Sequence, residues 1–339
     1  MVETNDEFAS LLNAMIGELE ASHAEVTANT NRDTVASPTT PHLGFRFDYG
    51  YAGPGLKVKD VPRSAPGWYE KTQIKPGEIV LAINGEDVSL NEQLYKLINE
   101  RQDREFEFLV STNGEKSGAH TVKYKPLTGD EWTQLNYQNR VERTRDYVEK
   151  QSGGKVGYLH IASMGAQNQT QFEREAYEFM VGREAMIIDV RFNNGGNISD
   201  TLVEWLQRKP HGWMRPRDSE KEAAPFHTWE RKMVVLQNEH SYSNAEMFPS
   251  AMRTKGLAQL IGVATPGYVI WTYEMGLVDG TKARMPMTGA YRLDGTPMEN
   301  NGEKPDLEVR LSPDDWLHDR DPQLDKAIEV LVGGVVTQQ

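Results

Sequence analysis

The 339-residue chain has no cysteine, which excludes disulfides, thiolate zinc sites and a cysteine nucleophile, and fits a reducing compartment. It also lacks a basic excess. Lys+Arg number 37 against 50 Asp+Glu, a formal charge of −13, so a nucleic-acid backbone or an anionic membrane surface would meet repulsion. No apolar run approaches the ~20 residues of a membrane span. The acidic start MVETNDEF has no basic-then-apolar order of a signal peptide, and the expected setting is cytoplasmic, as this chain or as a piece of a longer one. Also missing are His-Glu-x-x-His, any other metal-ligand spacing, and the glycine patterns that cradle phosphates or dinucleotides, so neither metal nor cofactor is expected. What remains, 38% hydrophobic and 26% charged residues, is an ordinary globular composition with length for two or three domains.

Residues 6–21, DEFASLLNAMIGELEA, place Phe8, Leu11, Leu12, Met15, Ile16 and Leu19 at helical spacing, so one stripe must pack on something else. The polar run 27–41 reads as a linker, which gives a helical piece with linker over 1–40. From Leu43 to about Leu127 short alternating strands take over. There KPGEIVLAINGEDV sets two strands around an Asn84-Gly85 turn, and the helical pattern NEQLYKLINER follows. This order resembles a PDZ domain, assigned to 41–128, and PDZ domains add a peptide as an extra strand. Strands alternating with helices predict an α/β (α+β) domain with a partly parallel sheet over 129–339, where the chemistry should lie.

Two strand-to-helix junctions in that domain are candidates. Asp189-Val190-Arg191-Phe192-Asn193-Asn194-Gly195-Gly196-Asn197 ends an apolar strand in a glycine pair that can turn N–H groups toward an oxyanion, although a plain turn has the same pattern. Some forty residues on, NEHSYSNAEMF (238–248) follows another apolar run and leads into a helical pattern, offering Ser241 or Ser243 as a nucleophile. On neighbouring strands the two junctions would gather the Ser243 hydroxyl and the N–H groups of Asn244 and Gly196 around one carbonyl.

DVRFNNGGNIS, NEHSYSNAEMFPSAMRTKGLAQLIG and the closing ENNGEKPDLEVRLSPDDWLHDRDPQLDKAIEVL together resemble the catalytic half of the tricorn protease family, within the superfamily of carboxyl-terminal processing peptidases. The likeness covers nearly the whole chain, without the family's β-propellers. It implies a ClpP/crotonase-like core with an N-terminal helical piece and an inserted PDZ-like domain. The implied activity is cofactor-free serine peptidase cleavage of short peptides through an acyl-enzyme, in a homo-oligomer that is hexameric in the family. The matching nucleophile is Ser243 rather than Ser241, with Gly196 and Asn244 as the oxyanion hole. Processing peptidases carry a lysine base where residues 262–269 (GVATPGYV) have none. The resemblance therefore implies a histidine base, His23, with Ser22 and Glu299 completing a Ser-His-Ser-Glu tetrad. His240 is the local rival and Glu303 the neighbouring decoy; water-exposed loop charge is the bland reading of both glutamates. Counting on from Gly196 puts the family's specificity acid at Met214, in a substrate-binding position, with Asp218 four residues further. Cleavage after apolar or aromatic residues is thus expected to exceed cleavage after Lys or Arg. Departures from the family pattern at Tyr242 and Asn244 also suit a catalytically inactive PDZ-containing module that binds peptides or assembles partners.

Overall fold

The computed structural model describes residues 2–29, 38–226 and 228–333; residues 30–37 of the linker expected over 27–41 lie outside them. The chain divides into two compact units, Met1–Arg32 with Thr144–Gln339, and Asp33–Arg143. No helix among the described residues is long and apolar enough to cross a membrane.

A capping box between Thr4 and Glu7 starts α1 (Asn5–Gly17). Ala9, Leu12 and Ile16 of this helix pack with Val26 of β1 (Glu25–Thr27) and with Ala283, whereas Phe8, Leu11, Met15 and Leu19 are exposed. Only part of the apolar stripe therefore finds a partner. The helix ends short of residue 21, and Ser22-His23 stand in the turn before β1, where His23 takes φ 60°.

The unit Asp33–Arg143 holds β2 (Arg46–Phe47), β3 (Leu56–Asp60), β4 (Ile79–Ile83), β5 (Glu86–Asp87), α2 (Glu92–Ile98), β6 (Phe106–Ser111) and β7 (His120–Tyr124). Its antiparallel sheet has the order β2-β3-β4-β6-β7, with β5 paired to β4. Asn84 (φ 53°) and Gly85 (φ 81°) make the two-residue connection that the Asn-Gly pair predicts. Alternate residues of the strands, among them Val58, Val80, Phe106 and Phe108, meet Leu94, Leu97 and Ile98 of α2 in one core.

The boundary between the units falls within α3 (Gly129–Ser152). Beyond it come β8 (Val156–His160), α4 (Ala166–Met180), β9 (Ala185–Asp189), α5 (Ser199–Leu206), β10 (Gly212–Met214) and β11 (Glu222–Ala224). Then follow β12 (Lys232–Gln237), α6 (Asn244–Thr254), β13 (Gln259–Gly262), β14 (Ile270–Gly276), β15 (Lys282–Gly289), β16 (Leu307–Glu308), α7 (Pro313–Leu317) and α8 (Pro322–Gly333). Five strands in the order β16-β13-β12-β9-β8 form a sheet that is parallel throughout, which makes the fold α/β. Its central strands read as continuous apolar runs because helices cover both faces. Phe172 and Ala176 of α4, Leu202 and Leu206 of α5, and Phe248 and Met252 of α6 share one core with Met186, Ile188, Met233 and Val235 of the sheet, while α8 packs against β8, β9, β12 and β13. A separate antiparallel sheet, β1-β15-β14, pairs Val26 with Ala283 and so ties the N-terminal segment to the C-terminal part of the sequence.

Candidate active site

Parallel pairing sets Leu236 beside Asp189, so β9 and β12 end side by side and both junctions open at the same edge of the sheet. Asn193 joins them. Fully buried, it accepts the Gly195 N–H on Oδ1 at 2.8 Å and donates from Nδ2 to the Ile161 carbonyl at 2.7 Å, while its own carbonyl accepts the Tyr242 N–H at 2.8 Å. Only glycines fit the turn that results. A Cβ on Gly195 (φ 87°) would stand 2.8 Å from the Cβ of Ser243 and 3.1 Å from the Asn244 nitrogen, and one on Gly196 (φ 147°) would stand 2.1 Å from the Met164 carbonyl oxygen. Gly195 spends its N–H on Asn193. Among the described residues, no acceptor takes the N–H of Gly196 or of Asn244.

Ser243 caps α6 at φ 55° and ψ −118°, a left-handed conformation that costs a non-glycine residue ~1–3 kcal/mol. Its N–H donates to Oε1 of Glu246 at 3.1 Å. Glu246 is wholly buried and also accepts the Thr265 hydroxyl at 2.5 Å and the N–H groups of Gly267 and Tyr268 at 2.6 and 2.7 Å. Burial raises its carboxyl above the usual range in spite of these donors. Asn244 uses its side chain structurally, accepting the Ser199 N–H at 2.7 Å and donating to the Ser199 hydroxyl at 2.8 Å, which locks the starts of α5 and α6 together. Neither Asn193 nor Glu246 was picked out by motif. The Ser-x-x-Glu spacing of a capping box, Ser243 to Glu246, was the available signal for the second.

A second cluster forms around Glu299, which is half-buried. It accepts the Ser22 N–H at 2.5 Å, the Ser22 hydroxyl at 3.0 Å and the Val269 N–H at 2.8 Å. His23, the next residue, has its Nε2 buried without a hydrogen-bond partner, and the Tyr268 backbone bonds to the ring. Burial, and after it the charge of Arg284, lowers the imidazole below its ordinary pKa, against the opposing pull of the Tyr268 bond and of Glu299. Neutral imidazole is favoured. Three consecutive residues link the clusters: Gly267 and Tyr268 donate to Glu246, the Tyr268 backbone meets His23, and Val269 donates to Glu299.

Other candidates lie elsewhere or serve the scaffold. The Ser241 hydroxyl is fully buried, donating to the Val190 carbonyl at 2.9 Å and accepting the Asn238 N–H at 3.1 Å. His240 stacks on Phe192, and its Nδ1 lies 3.1 Å from the Tyr242 hydroxyl. Met214 sits exposed on β10 opposite Glu222, in a two-stranded hairpin, and is not among the residues bonded into either cluster. Asp218 is exposed beyond it. The bland reading, water-exposed loop charge, describes neither glutamate: Glu299 is half-buried and bonded to Ser22 and Val269. Glu303 is completely buried, ion-paired with Arg253 and with Arg292 at 3.2 Å, and its backbone exchanges bonds with Thr265; burial of a charge is tolerable here because two guanidinium groups compensate it. Among the described residues no group of three or more His, Asp or Glu could hold a metal ion.

Residues 155–309 match the model of peptidase family S41. That segment, a little under half of the chain, is similar to the family. It is 31% identical to the tricorn protease homolog of Saccharolobus solfataricus over 344 residues, 97% of this chain and 31% of that protein. With the tricorn protease of Thermoplasma acidophilum the identity is 31% over 261 residues, 76% of this chain and 24% of the relative. The crystal structure of the tricorn protease superposes with a TM-score of 0.85 at 26% identity, covering 99% of this chain and 33% of that one. The chain thus spans about a third or less of the length of these relatives. Both junctions and Glu299 fall inside the matched S41 residues, whereas Ser22 and His23 lie outside them.

Proposed function

We propose that the chain hydrolyses short peptides as a serine peptidase. His23 Nε2 takes the proton of the Ser243 hydroxyl as its oxygen attacks the peptide carbonyl carbon, and the N–H groups of Gly196 and Asn244 hold the oxyanion. The imidazolium then returns the proton to the leaving amine. Water, deprotonated by the same imidazole, releases the acid from the acyl-enzyme. Glu299 fixes the turn that carries His23 through both bonds to Ser22 and adds a negative charge that favours the transient imidazolium. The observation that carries this reading is the contact of Ser22 with Glu299, 277 residues apart, linked through Gly267–Val269 to the turn of Ser243. A polar lattice of that reach, ending on an unpartnered imidazole nitrogen, suits a general base and a nucleophile from distant segments.

The test is labelling with a fluorophosphonate probe and mass-spectrometric mapping of the adduct. The adduct is expected on Ser243 and should vanish in Ser243→Ala; an adduct on Ser241, or none, sinks the assignment.

Domain limits of 1–40, 41–128 and 129–339 belong to the same proposal, with 41–128 as a PDZ-like peptide-binding module. Met214 as a substrate contact implies cleavage after apolar or aromatic residues in preference to Lys or Arg, and a fluorogenic panel in which the Arg substrate is fastest would reject it. A homo-oligomer is proposed as well, for which the exposed Phe8, Leu11 and Met15 of α1, with Leu19 just beyond it, supply contact area. Light scattering that finds a fully active monomer would exclude it.

A further inference from the structure

We propose that Phe192, His240, Tyr242, Tyr268 and Trp316 form an aromatic wall beside Ser243 that binds the apolar side chains of peptide substrates. The inference rests on the peptidase reading for its substrate and on separate observations for its geometry. The rings run in a continuous series: Trp316 meets Phe192 edge-on at 5.8 Å, Phe192 stacks on His240 at 5.3 Å, His240 meets Tyr242 at 6.2 Å, and Tyr242 stacks on Tyr268 at 5.7 Å. One end is fixed at the nucleophile. Tyr242 immediately precedes Ser243, and the Tyr268 N–H shares Glu246 Oε1 with the N–H of Ser243.

Hydrophobic burial does not explain the wall, because Phe192, Tyr268 and Trp316 are 41%, 45% and 58% exposed. The backbone of Phe192 is moreover held at φ 61°, a conformation a bulky residue adopts only when its surroundings impose it. What imposes it is a buried amide: Oδ1 of Asn238 accepts the N–H of Phe192 and the N–H of His240, each at 3.1 Å. One buried side chain thus sets two exposed rings face to face. A glycine at 192 would remove the strain, so a large ring kept there in solvent points to a ligand. Faces of stacked aromatics offer flat apolar area with little freedom to lose, and they suit leucine, phenylalanine or proline side chains flanking the cleaved bond.

The test uses pairs of peptides that differ only by Phe or Gly at each residue flanking the cleaved bond, with wild type, Phe192→Gly and Trp316→Ala. Phe192→Gly should melt at or above the wild-type temperature, since it relieves the positive φ. The preference for Phe over Gly in kcat/KM should fall about threefold to tenfold in each variant, the size of one aromatic contact, and the change should appear in KM. An unmoved preference in both variants overturns the wall, whatever the melting temperatures. Should the wild type cleave neither peptide, the peptidase reading fails, and calorimetric titration of the same Phe peptides decides the wall alone. Binding that weakens by a similar factor in Phe192→Gly supports it, and equal or absent binding overturns it.

Discussion

Replacing Asn193 by alanine tests whether the glycine turn and the serine turn act as one device. The side chain is 0% exposed and makes two bonds, from the Gly195 N–H at 2.8 Å and to the Ile161 carbonyl at 2.7 Å. Alanine leaves both groups buried and unsatisfied at ~1–3 kcal/mol each, so a loss of ~2–6 kcal/mol is expected in urea unfolding. The backbone bond from Tyr242 to the Asn193 carbonyl survives, but the turn that aims Gly196 is no longer braced. Loss of one oxyanion donor costs ~10²–10³ in kcat, and a donor misplaced by about 1 Å approaches that, so kcat should fall ~10²-fold with KM changed much less. The assay is steady-state turnover of a fluorogenic peptide at a temperature where circular dichroism shows the variant folded. Normal kcat in a destabilised variant would refute the role of Gly196 in holding the oxyanion. Undiminished stability would refute the hydrogen-bond account itself.

His23→Ala should lower turnover by orders of magnitude, and in the unmutated protein activity should climb with pH to a midpoint below the ordinary ~6.5, because burial and then Arg284 lower the imidazole; Arg284→Gln should move that midpoint upward, and a rise only above pH ~9 would indicate another base. Ser241→Ala should keep most activity while losing ~1–3 kcal/mol of stability, since it orphans the Val190 carbonyl and the Asn238 N–H; loss of labelling by the probe would reverse the assignment of the two serines. Asp189, buried against Arg191, should show its effect in acid. Burial alone would raise this carboxyl, but the charge and hydrogen bonds of Arg191 bring it down to about 2 from 3.8. The depressed value means that its contribution, about 2 kcal/mol, is complete above pH ~4 and is lost as pH falls through about 2, a slope that urea titrations should find in wild type and miss in Asp189→Asn.

Much of the architecture is legible in local pattern. The apolar runs at 185–190 and 233–236 predict buried strands, Asn84-Gly85 predicts its own turn, and the placement of Ser243 at a helix start follows from the order of strand, polar turn and helix. Each of these depends on period, propensity or turn chemistry within a few residues, which a single sequence displays. The charge balance, 37 Lys+Arg against 50 Asp+Glu, likewise argues against polyanion partners.

Long-range pairing decided the rest. Nothing in ELEASHAEVT says that Val26 will pair with Ala283, yet that register carries Ser22 to Glu299. Glu303 looks like solvated loop charge because its partners, Arg253 and Arg292, are remote in sequence or unremarkable beside it, and only folding supplies the compensation that makes its burial tolerable. Met214 stands exposed on β10 opposite Glu222, a strand pairing that counting along the sequence from Gly196 does not foretell. Asn193 and Glu246 matter through the atoms they bond across the chain, and an amide or a carboxylate has the same one-letter symbol whether it faces water or braces a turn. Residue type and local spacing thus determined the elements and the chemistry available, while the tertiary structure alone determined which polar groups, buried together, have no water to satisfy them and must satisfy one another.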